Sequence, residues 1–103
     1  MSERLECRLD GFDVAEKARY ASLRLALRAG TKDVRELEDG YAVRLDTDST
    51  LFREAAEWIT LERRCCPFLT LGLDWAVDDT VSLRLTGGPD VKTFLGTTLA
   101  SPA

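Results

Sequence analysis

Two segments, Tyr41-Ala42-Val43-Arg44-Leu45 and Val81-Ser82-Leu83-Arg84-Leu85, carry the same alternation of apolar and polar residues, and each closes a run that reads as helix, then hairpin. A period of two marks a strand with one face buried. A unit of roughly 35 residues used twice leaves few ways to fold: the helices cover one sheet face, and the other meets water or a partner.

The remaining segments fit that frame. Leu5, Cys7 and Leu9 alternate with Glu6, Arg8 and Asp10, which predicts a first strand with Cys7 facing the core. Asp13 and Glu16 form a D-x-x-E helix start, and Val14, Ala18, Ala21 and Leu25 recur at helical spacing up to Gly30. A weak strand is expected over Val34 to Glu38, followed by an Asp39-Gly40 turn. Asp48 and Ser49 can cap a second helix from Leu51 to Cys65, which Pro67 stops. Leu69, Leu71, Leu73 and Trp75 alternate on a fourth strand, and Val81, Leu83 and Leu85 on a fifth. After Gly87-Gly88-Pro89, a short helix from Asp90 to Leu99 carries Val91, Phe94, Leu95 and Leu99. The expected fold is a single α+β domain over residues 1–103, a two-layer sandwich in the order β-α-β-β-α-β-β-α. Its sheet is mostly antiparallel, with about five strands. Trp58 and Trp75 read as core aromatics, and the charged residues of the first helix as a solvated face.

Charge and composition exclude several functions. A net charge of -4 argues against a nucleic-acid backbone or an anionic membrane as partner. No apolar run approaches the ~20 residues that span a bilayer. The opening Met1-Ser2-Glu3-Arg4 lacks the pattern of a secretion signal, so the expected setting is cytoplasmic. Reduced cysteines are expected there, rather than a disulfide framework. The chain contains no histidine, which removes Cys-His and Ser-His catalysis and the commonest metal ligand together.

The run Glu62-Arg63-Arg64-Cys65-Cys66-Pro67-Phe68 is the chemically distinctive part. On a helical wheel, Leu51, Ala55, Trp58 and Ile59 form one apolar stripe, and Glu62 falls inside it. Cys65 and Cys66 follow three and four residues later, the spacing of neighbours on a helix. A carboxyl in that stripe is expected to be buried, and burial raises its pKa. The alternative is a structural acid paired with an arginine such as Arg24 or Arg84, beside cysteines that only fill volume. If Cys7 reaches the same place, three thiols and one carboxylate converge. Such a set prefers soft ions: Cu(I), Hg(II), As(III), or Zn(II) with four ligands. Arg63 and Arg64 could support thiolates by charge. The negative end of the helix dipole opposes this, and shifts weight from a reactive nucleophile towards metal binding or packing.

These motifs resemble a family of small bacterial proteins common in actinobacteria. Its members carry an N-terminal x-Cys-x-Leu strand, a central Glu-x-x-Cys-Cys-Pro-Phe, and a late Leu-x-Leu-Thr-Gly leading to Phe-Leu. Here these are Glu6 to Leu9, Glu62 to Phe68, and Leu83 to Gly87 with Phe94-Leu95. The resemblance implies an association with metal-responsive regulators of the mercury-resistance type, and points to Cys7, Glu62, Cys65 and Cys66. It transfers no activity.

Three functions remain open. One is a soft-metal or metalloid binding protein using Cys7, Glu62, Cys65 and Cys66, with a metal ion or small ligand as partner. Another is a thiol enzyme, either redox or cleaving a carbon-metal bond, with Glu62 handling the proton. The third is an interaction or homodimerisation module with core cysteines.

Overall fold

The structure, a computed structural model, describes residues 11–100. The expected first strand, with Leu5, Cys7 and Leu9, lies outside these residues.

Asp13 starts the first helix, α1 (Val14–Ala29), through a complete capping box: its side chain accepts from the Glu16 amide at 2.8 Å, and Glu16 Oε1 accepts from the Asp13 amide at 3.1 Å. Asp48 starts α2 (Ser49–Cys65) by accepting from the Thr50 amide at 2.9 Å. Between the two helices run β1 (Thr31–Leu37) and β2 (Gly40–Leu45). After α2 come β3 (Thr70–Trp75), β4 (Val81–Thr86) and α3 (Pro89–Ala100).

The described residues therefore contain four strands, in the order β1-β2-β4-β3, every neighbouring pair antiparallel. Four strands stand here against the expected five; the fifth, the period-two segment before α1, lies outside the described residues. The coarse class, α+β with an antiparallel sheet, stands. The repeat has a physical form. β2 and β4 pair at the centre, Val43 opposite Leu83, with Tyr41 opposite Leu85 and Leu45 opposite Val81. The strand order and this register relate the two hairpins by a half-turn about the Val43–Leu83 pair.

The apolar sides of β2 and β4 share one core with all three helices. α2 packs on α1 and β3, and α3 lies over β2 and β4. On the opposite face, Arg44 pairs with Asp33 and Arg84 with Asp74. Strand β1, at one edge of the sheet among the described residues, is almost wholly exposed and carries Lys32, Asp33, Arg35 and Glu36, charges that disfavour pairing with another sheet.

Three expectations need correction. The buried face of α1 carries Tyr20, Leu23 and Leu27, while Val14 is 86% and Leu25 70% exposed. Two apolar stripes run along this helix, and the larger side chains win the core because they remove more area from water. Trp75 is 38% exposed at the sheet edge, where it tilts against Phe52 and donates its indole N–H to Asp79 Oδ1 at 2.9 Å. Glu38 and Asp39 form the first hairpin turn, with Gly40 already paired to Leu37. Glycine is needed at 40 because a Cβ there would stand 2.0 Å from the Leu85 carbonyl oxygen on the neighbouring central strand.

Candidate thiolate and carboxylate centre

The buried stripe of α2 is Leu51, Ala55, Trp58, Glu62 and Cys65, in agreement with the wheel reading. Glu62 is 6% exposed, and it is the one charged side chain buried among the described residues. Burying an ionisable group is costly without a partner. Its partner is Tyr20 on α1, whose hydroxyl donates to Glu62 Oε1 at 2.6 Å. Arg84, one of the two arginines considered as a partner, is instead turned to the open sheet face with Asp74. Arg24 acts on Glu62 through its charge.

Burial pushes the Glu62 carboxyl above the usual carboxylate range, while the Tyr20 hydrogen bond and the Arg24 charge pull it down. The Tyr20 phenol is pushed far up, first by burial and then by the Glu62 charge beside it. Tyr20 is the donor of the pair.

Helix α2 ends beside this acid. Cys66 is the C-cap, its amide donates to the Glu62 carbonyl at 2.6 Å, and Pro67 cannot continue the helix. Both cysteine side chains turn inward and are fully buried. Their sulfurs lie 3.7 Å apart, well beyond the ~2.05 Å of a covalent S–S bond. One ligand atom each from Glu62, Cys65 and Cys66 falls within 4.8 Å of the others, a grouping that could hold a metal ion. Cys65 carries a thiol. Cys66 is disulfide-bonded. This differs from the expectation of reduced cysteines: the helix end delivers a buried sulfur to a second one. Metal ligation by Cys66 therefore belongs to the reduced form.

The structure thus brings together three of the four predicted site residues. Cys7, the fourth, lies outside the described residues. Tyr20 was missed: its sequence signal, an aromatic residue at helical spacing with Leu23 and Leu27, was masked by the second apolar stripe of α1. Arg64 does not serve the thiols as suggested. It pairs with Glu16 at 2.6 Å, donates to the Gly11 carbonyl at 3.1 Å and stacks 4.7 Å over the Phe12 ring. With the Arg19–Glu57 pair at 2.7 Å, it links α1 to α2 along the interface where Tyr20 meets Glu62. These bridges tie part of α1's charged, solvent-exposed face to α2.

No family model, curated protein or solved structure matches the chain. No helix among the described residues is long and apolar enough to cross a membrane.

Proposed function

We propose that the protein binds a thiophilic metal ion or metalloid, with Cys65 and Cys66 as thiolate ligands, Cys7 as a third sulfur and Glu62 as oxygen ligand or proton acceptor. The observation that carries this reading is the buried Glu62–Cys65–Cys66 grouping, its donor atoms within 4.8 Å of one another. Two sulfurs and one oxygen, in a chain without histidine, favour Cu(I), Hg(II), As(III) or Zn(II) over hard cations. The resemblance to proteins associated with metal-responsive regulators supports the same class. In a cytoplasmic setting, cellular thiols would open the Cys66 disulfide and free its sulfur for a metal. Ligand thiols lose protons on binding, so affinity rises with pH.

The test is native mass spectrometry of the reduced chain after exposure to each of the four ions. A stoichiometric adduct that disappears in Cys65→Ser and in Cys66→Ser is expected. No adduct, or one that survives both substitutions, ends the reading.

One observation favours a second reading, a thiol-dependent redox protein: the Cys65 thiol lies 3.7 Å from the oxidised Cys66 sulfur. Such a protein needs a cysteine ionised near neutral pH. An alkylation profile placing the Cys65 pKa at or above the free value of ~8.5 argues against it.

A further inference from the structure

A second feature adjoins the same acid and stands on different residues. A cleft of about 320 Å³ opens between α1, α2, α3 and the sheet. That is the small end of the range for ligand sites. Leu27, Val43, Leu45, Leu83, Leu85 and Leu95 make its walls apolar.

Its polar groups are few and unevenly placed. Arg24 and Arg28, one turn apart on α1, line one side. Arg24 is half-buried and Arg28 exposed, so this side is the mouth. Neither makes an ion pair among the described residues, and the Arg24 guanidinium lies 6.0 Å over the Tyr20 ring. By contrast Arg19, Arg64, Arg84 and Lys92 each meet a carboxylate. Glu62 and Trp58 of α2 also line the cleft. The Trp58 indole N–H is buried and has no hydrogen-bond partner among the described residues, in a side chain only 6% exposed.

From these placements we propose that the cleft binds an amphipathic organic monoanion, a carboxylate on an apolar chain or ring. The apolar body fills the leucine-lined space. The carboxylate meets Arg24 and Arg28 at the mouth, because near Glu62 it would face another acid. Guanidinium groups suit a carboxylate through paired, charge-assisted hydrogen bonds. The cleft shares Glu62 with the thiolate grouping but not its sulfurs, since neither Cys65 nor Cys66 is among the residues lining it.

The experiment uses the full chain with Trp75→Phe, so that Trp58 is the sole indole, and titrates octanoate against octan-1-ol by fluorescence. Octanoate is expected to saturate at one per chain and to bind about tenfold tighter than the alcohol, the size of one charge-assisted contact. Arg24→Ala with Arg28→Ala, both at the mouth, should erase that preference with the fold intact by circular dichroism. Cys65→Ser with Cys66→Ser should leave octanoate binding unchanged, which separates this outcome from that of the thiolate site. No saturation, or equal binding of acid and alcohol, overturns the proposal. Binding that arises only on deletion of residues 1–10 assigns the cleft to the chain's own N-terminal segment and overturns it too.

Discussion

Tyr20 Oη donates to Glu62 Oε1 at 2.6 Å across the α1–α2 interface, and both side chains are buried. Tyr20→Phe keeps the ring and removes the donor, leaving a buried carboxyl short of a partner. The expected cost is about 1–3 kcal/mol, the range for stranding a buried polar group. Glu62→Gln preserves an acceptor for the same hydroxyl and should cost less. Denaturant unfolding of the two variants checks the order. A Tyr20→Phe chain as stable as the parent would remove the pairing from the account of why Glu62 tolerates burial.

The raised pKa of Glu62 also sets a sign for stability against pH. Burial, the largest cause, makes the folded chain hold this proton more tightly than the unfolded chain does. The resulting stabilisation is complete below the unfolded value of about 4.3 and is lost as pH rises through the raised folded value. Glu62→Gln lacks that loss. The melting temperature of Glu62→Gln minus that of the parent should therefore grow from about pH 4 towards about pH 8. A difference that stays flat or shrinks contradicts the raised value.

Cys66 is oxidised while Cys65 is a thiol, and the chain's remaining cysteine is Cys7. Thiol titration of the denatured, unreduced chain should find one thiol, rising to three after reduction. A non-reducing peptide map should show the Cys66 peptide cross-linked before reduction and released after it. The unreduced chain is then expected to bind Hg(II) or As(III) far more weakly than the reduced chain, because Cys66 cannot ligate while oxidised. Equal uptake by both forms would place the metal elsewhere.

How much could be read beforehand depended on how many stripes a helix carries. In α2 there is one apolar stripe, so the anomalous acid in it stood out and Glu62, Cys65 and their burial were legible. Helix α1 has apolar residues on two sides, and periodicity alone chose Val14, Ala18, Ala21 and Leu25 over Tyr20, Leu23 and Leu27. The choice is made by tertiary packing: α1 turns its larger residues to α2 and the sheet, and Tyr20 finds Glu62 there. β1 was read as starting late because an exposed edge strand has no buried face to impose alternation. Cys66 was placed by its spacing from Glu62, but its redox state depends on a sulfur distant in sequence, which no local pattern encodes.

The central strand pair offers a sharper check of the fold. Gly40 faces Thr86 in the β2–β4 ladder, and a methyl group added there would meet the Leu85 carbonyl oxygen at 2.0 Å and the Thr86 Cα at 2.8 Å. Both are backbone atoms of a strand fixed on each side, so neither can swing away as a flexible side chain would. Gly40→Ala should force the two strands apart and cost about 1–3 kcal/mol, the scale of overpacking. Among the described residues, Gly11 has nothing within 4 Å of an added Cβ, and Gly11→Ala should stay within about 0.5 kcal/mol of the parent. Because β2 and β4 carry the walls of the cleft, Gly40→Ala should also weaken octanoate binding, whereas Gly11→Ala should not. Comparable stability of the two variants would show that β2 and β4 are not packed as closely as their register requires.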